Sequence, residues 1–130
     1  MKWYHDVGLL ALRIMTGLGI AYHGYGKLFD EGRMEQFAQG VSEMGFPLPA
    51  LFAWMAALSE LVGGLLVALG AFTRYAAFFI FCTMTVAAFI AHAGDPFTGK
   101  EKALLYWTLS IALMLMGGGR YAVERLIKRN

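Results

Sequence analysis

Cysteine and charge are what this chain has least of. A single cysteine, Cys82, stands among 130 residues. No disulfide can close within the chain and no two-cysteine relay can run in it, which excludes membrane enzymes that make disulfides through paired thiols. Asp, Glu, Lys and Arg make up only 15% of the residues against 58% hydrophobic, and the mean hydropathy is +0.56. A water-soluble domain of this size needs more charged surface, so the bilayer is the expected solvent. The net charge is only +2, and the basic residues form neither a stripe nor a cluster interleaved with exposed aromatics, which excludes nucleic acid as a partner. The first apolar run also lacks a basic start and a small-residue cleavage site before the polar stretch, and is expected to be a retained span, not a removable signal.

What is present is apolar sequence in four runs, at about 7–29, 50–72, 75–93 and 103–119, to be judged against the roughly 20 apolar residues a spanning helix needs. The expected fold is all-α: a four-transmembrane-helix bundle in which residues 1–130 form a single integral membrane domain. The last run, Ala103 to Met116 extended by Gly117 to Gly119, is short for a crossing. Between the first two runs Met34, Phe37, Val41 and Met44 recur at three- and four-residue steps, flanked by Gly32 and Gly45. That spacing predicts a short amphipathic helix on the membrane surface. Pro47 and Pro49 then bias their predecessors away from helix and fix the re-entry. Arg120 to Asn130 reads as a basic amphipathic tail with Leu126 and Ile127 on its apolar side. Lys2, Arg74, Arg120, Arg125, Lys128 and Arg129 fall on one side of such a bundle against Arg33, Lys100 and Lys102 on the other, so both termini are expected in the cytoplasm.

Four ionisable residues interrupt the first two runs. At about 100° per residue His23 lies roughly 80° round the helix from Arg13, with Lys27 between them, so one face carries all three. Glu60 sits on a four-residue stripe with Ala56 and Gly64, beside Ser59 and Gly63; such small neighbours place that face against another helix. Counting depth from opposite membrane faces, about 10 Å for Arg13 and about 15 Å for Glu60, brings the two together near the midplane. Glu60 has the sign to balance either Arg13 or Lys27; an unpaired charge there costs several kcal/mol, and the depth match makes an Arg13–Glu60 pair the expected one, either as a lock on helix register or as part of a functional site.

His23, Lys27 and His92 fall at the other membrane face, where with Asp95 they would line a mouth leading toward Glu60; Lys27 taken singly is a residue that snorkels to the interface. Tyr22 and Tyr25 flank His23 and would bound a ring-shaped ligand, although interfacial belt or packing roles are commoner for tyrosine. His23 and His92 also raise axial haem ligation, which a bundle this small disfavours because such sites need a wide cavity. A zinc or copper site from His23, His92 and Asp95 is unsupported by spacing, and no metal is expected. Trp3, Tyr4, Trp54, Tyr75, Tyr106, Trp107 and Tyr121 lie near span ends, as belt residues do, and Cys82 in its phenylalanine-rich run reads as an inert core residue.

Taken in order, Leu12-Arg13, His23-Gly24 with Lys27-Leu28, Gly45-Phe46-Pro47-Leu48-Pro49, Glu60-Leu61-Val62-Gly63-Gly64 with Leu69-Gly70 and Thr73-Arg74, and Gly119-Arg120-Tyr121 make the chain resemble the DoxX family of small four-span bacterial membrane proteins. The resemblance implies a bacterial cytoplasmic membrane location. It also implies an association with redox chemistry, since a related subunit belongs to a thiosulfate:quinone oxidoreductase and members are often named as oxidoreductases without an established reaction. The family's motif residues fall on Arg13, His23, Lys27 and Glu60. The leading expectation is a redox-associated membrane protein binding a quinone-like or other small hydrophobic ligand. In it His23 and Glu60 would be catalytic, handling protons or the ligand's carbonyls, and Arg13, Lys27, His92, Tyr22 and Tyr25 would be ligand-binding. A ligand or a redox partner protein would supply electrons. The alternatives are a non-catalytic scaffold or assembly factor for a redox complex, or a small carrier, which with four short spans would have to be a homo-oligomer.

Overall fold

The computed structural model describes residues 2–128, with side chains as far as Arg125, so Leu126 and Ile127 of the expected apolar tail stripe lie outside the described side chains. Every regular element among these residues is helical: α1 (Trp3–Phe29), α2 (Arg33–Glu43), α3 (Pro49–Leu69), α4 (Thr73–Val86) running into a π turn over Ala87–Ala91, α5 (Phe97–Met116) and α6 (Val123–Lys128). α3 starts with a proline in its first turn, where the missing N–H costs nothing. It stops at Gly70, whose φ of +79° lets its own N–H and that of Ala71 turn back onto the Leu66 carbonyl.

Among the described residues three helices, not four, are long and apolar enough to cross a membrane: Trp3–Phe29, Pro49–Leu69 and Thr73–Ala91. α5 has 20 residues, but its early turns carry Lys100, Glu101 and Lys102. The apolar part from Ala103 on rises only about 21 Å, less than the ~30 Å of hydrocarbon.

α1 and α3 run antiparallel in the closest seam of the molecule. A Cβ on Gly17 would lie 2.5 Å from both the Ala68 nitrogen and the Gly64 oxygen, and one on Gly24 would collide with the Leu61 backbone. Small residues let the backbones touch there, as in membrane helix pairs generally. The Ala53, Ala57, Glu60, Gly64 and Val67 face of α3 is buried, as the small-residue stripe implies. Ile20, Val67, Ile80, Met84 and Leu113 join α1, α3, α4 and α5 in one apolar core. Met15, Leu18, Val62, Leu65, Phe78 and Phe79 point outward, a broad apolar surface suited to lipid.

Some of the expected surface elements are drawn inward. α2 forms where the periodicity places it, and its stripe is spent on protein: Val41 is buried, and the helix packs against α3 and α1. Trp107 is no belt residue, because its Nε1 donates to Thr85 Oγ1 at 3.1 Å and its ring stacks on Phe81. Cys82, read as a core residue, is exposed on the outer side of α4. The segment after α5 is not a free tail either. Ala122 is fully buried, and the Glu124 N–H donates to the Gly70 carbonyl at 3.1 Å.

Candidate functional site

The most buried charged group in the chain is Glu60, 1% exposed on the α1-facing side of α3. Gly24 gives it room, since α1 has no side chain at that level to hold the helices apart. One turn farther along α1, Lys27 extends back over this seam, and its Nζ donates to Glu60 Oε1 at 2.6 Å. The ammonium also sits 4.3 Å from the centre of the Phe37 ring on α2. That cation–π contact places α2 over the pair and limits water's access to it. Lys27 therefore reaches inward to a carboxylate instead of outward to the interface. Among the described residues the buried Glu60 Oε2 has no hydrogen-bond partner, and it can accept a hydrogen bond or a proton.

Arg13 does not pair with Glu60. Its Nη1 donates to the Gly118 carbonyl at 2.6 Å, and longer bonds run from Nε to Ala68 O (3.4 Å) and from Nη2 to Tyr121 O (3.5 Å). The seam register is the reason: Gly17 faces Gly64 and Ala68, whereas Gly24 faces Glu60 and Leu61. Arg13 is about eleven residues from Gly24, so roughly 16 Å of helix separates it from the level of Glu60. Arg13 is only 2% exposed; carbonyls from the last turn of α3 and from the segment after α5 accept its hydrogen bonds, and the Glu124 carboxylate is a nearby counter-charge.

The other expected site residues divide. His23, partly buried, sets its ring edge-on to Tyr106 of α5 at 6.1 Å, with Lys102, Lys27 and Arg33 as the nearby positive charges. His92 pairs with Asp95 at 2.7 Å, the one expected link of the mouth that forms. Among the described residues no hydrogen bond joins His92 to His23, Lys27 or Glu60. Tyr22 and Tyr25 are exposed, 75% and 54%, and the Tyr22 ring stands edge-on to His23 at 6.1 Å. Phe37, Tyr106 and Glu124 were absent from the expected set. Phe37 had a legible signal, because the short Asp30–Gly32 turn must fold the α2 stripe back over the end of α1. Glu124, whose Oε2 accepts the Thr73 N–H at 3.1 Å at the start of α4, had none.

The family model described as DoxX matches residues 8–93. Inner membrane protein YqjF of Escherichia coli is 29% identical over 99% of this chain and 98% of its own length. The Bacillus subtilis protein named "Putative oxidoreductase CatD" is 32% identical over 94% of this chain and 88% of its own. An uncharacterized protein of Haemophilus influenzae is 31% identical over 95% and 93%. No solved structure gives a significant match. The family match takes in Arg13, His23, Lys27 and Glu60 together with the three apolar helices that carry or flank them, and the chain is a membrane protein of the DoxX family.

Proposed function

We propose that the protein is a redox-associated component of the bacterial cytoplasmic membrane that binds a quinone-like or other small hydrophobic ligand at the Lys27–Glu60 pair. The observation that carries this reading is Glu60 Oε2, a carboxylate oxygen buried beside an ammonium with no partner of its own. A carboxyl in that position can hydrogen-bond a ligand hydroxyl or carbonyl according to its protonation state. Lys27 fixes the carboxyl from the opposite oxygen, Phe37 covers the ammonium, and His23, one turn back on α1, packs edge-on against Tyr106. Quinone reduction takes up two electrons and two protons; the chain's residues would handle the protons and a redox partner protein would deliver the electrons. The name carried by the Bacillus subtilis relative supports the redox association. In this reading the chain is one integral membrane domain, α5 is a short fourth span, and both termini face the cytoplasm, as the lysine and arginine distribution favours.

The test is mass spectrometry and absorption spectroscopy of the protein purified in mild detergent, with Glu60→Gln and His23→Ala beside the parent. Co-purifying quinone that is lost in Glu60→Gln is the expected result. A parent without bound quinone, and a Glu60→Gln protein equal to it in a quinone-dependent assay, would overturn the proposal.

A non-catalytic scaffold is the second reading. The Arg13 clamp favours it, since a guanidinium whose hydrogen bonds all go to backbone carbonyls serves to hold helices in place. Under that reading a charge-free Lys27→Met, Glu60→Met protein keeps full function in its complex.

A further inference from the structure

The face that carries the start of α1, the α3–α4 turn and the end of α5 lies at the opposite end of the molecule from the Lys27–Glu60 pair. A cavity of about 1320 Å³ opens there. Arg74, Arg120 and Arg125 stand around it, above apolar walls that include Phe72, Tyr75 and Met114. Two acidic residues also line it, but Asp6 is buried and Glu124 Oε2 already accepts the Thr73 N–H. Among the described residues none of the three arginines has a carboxylate within 4 Å. The polar contact recorded for Arg74 is a long 3.5 Å bond to the Leu115 carbonyl.

A second feature meets the first. Phe72 and Tyr75 also form one end of an apolar groove of about 410 Å³ between α3 and α4, which passes Leu66 and Val62 and reaches Leu58. From Leu66 to Leu58 the groove descends about 12 Å along α3. An arginine-lined cavity at the membrane boundary thus adjoins, across the shared Phe72 and Tyr75, an apolar groove directed toward the bilayer interior.

The two shapes together specify the ligand class. A free phosphate would use the cavity and leave the groove empty. A zwitterionic lipid would fill the groove but bring no net charge to three arginines. We infer that this is a binding site for one anionic phospholipid, its phosphate headgroup held among Arg74, Arg120 and Arg125 and one acyl chain laid in the α3–α4 groove. Arginine suits the headgroup because its planar fork donates two parallel hydrogen bonds to phosphate oxygens.

The experiment is native mass spectrometry of the full chain in neutral detergent with equimolar phosphatidylglycerol and phosphatidylcholine. One phosphatidylglycerol per chain is retained, with at least tenfold preference over phosphatidylcholine. The Arg74→Gln, Arg120→Gln, Arg125→Gln protein loses that preference, while the corresponding triple lysine protein, which preserves the charge, keeps most of it. Val62→Trp, which fills the groove and leaves the arginines alone, lowers phosphatidylglycerol retention several-fold. Glycerol phosphate, a head without a chain, competes at least tenfold more weakly than the lipid. Equal retention of the two lipids, retention unmoved by either the glutamine triple or Val62→Trp, or glycerol phosphate binding as tightly as lipid would each overturn the assignment.

Discussion

Lys27 Nζ and Glu60 Oε1 stand 2.6 Å apart across 33 positions of sequence, joining the end of α1 to the middle of α3. The two partners are unequally buried, with side-chain exposures of 21% for Lys27 and 1% for Glu60. Removing the lysine is therefore the more damaging change, because it strands a charge that cannot reach water. Lys27→Ala should lower stability by about 3–5 kcal/mol, and Glu60→Gln by about 1–2 kcal/mol, since the released ammonium can turn outward. Lys27→Met with Glu60→Met should return to within about 1 kcal/mol of the parent. Thermal unfolding in detergent, followed by loss of helical circular dichroism, checks this. A Lys27→Ala protein no less stable than Glu60→Gln would count against the pair.

Arg13 makes a different prediction because its partners are backbone. Without the guanidinium the Gly118 carbonyl loses its 2.6 Å donor, and the segment from Gly117 to Glu124 loses its tie to α1. Arg13→Ala should cost about 1–3 kcal/mol. Hydrogen exchange should speed up over residues 117–124 well before it does in α3. Arg13→Lys should fall between the two, since a lysine ammonium cannot reach three carbonyls from one planar fork.

The sequence carried the burial of these charges much better than their pairing. Arg13 and Glu60 were legible as interior residues because an isolated charge in an apolar run has few other places to go. Their separation was not, because it depends on which glycine meets which across the α1–α3 seam, and Gly8, Gly17, Gly19 and Gly24 look alike along the chain. The α2 stripe was legible from its period alone, and Phe37 was part of it. Its role over Lys27 needed the three-dimensional fold-back. The charges Lys100 to Lys102 lie inside α5, ahead of the apolar run that starts at Ala103, so the helix is long without being apolar throughout. The return of Ala122 and Glu124 into the fold left no local mark, since a short segment that packs under a turn looks like any amphipathic tail.

The glycine seam can be tested by comparing two positions on the same helix. A Cβ on Gly17 would be forced to 2.5 Å from α3 backbone atoms, whereas one on Gly8 meets nothing within 4 Å. Gly8→Ala should be neutral or stabilising by up to about 1 kcal/mol through helix propensity. Gly17→Ala must push α1 away from α3, so it should destabilise by about 1–3 kcal/mol as overpacked sites do. It should also weaken the Lys27–Glu60 bond, because that bond depends on the same seam. Unfolding midpoints of the two variants, purified side by side, separate a packing role from helix propensity, which alone would move both in the same direction.

Trp107 gives the corresponding test for the α4–α5 side. A belt tryptophan turns its indole N–H to the interface, and its replacement by Phe is largely independent of residues on neighbouring helices. Here the Nε1–H is given to Thr85 Oγ1 at 3.1 Å, and that hydroxyl's own proton goes to the Phe81 carbonyl at 2.7 Å. The ring meanwhile lies between Phe81 and Phe89. Trp107→Phe keeps the ring contacts and loses the hydrogen bond, and should cost about 0.5–1.5 kcal/mol. Thr85→Val removes the acceptor from the other helix at a similar cost. If the bond is what each variant loses, the double variant is destabilised by less than the sum of the singles, with a coupling of at least about 0.5 kcal/mol in a double-mutant cycle. Strict additivity would count against the Trp107–Thr85 bond.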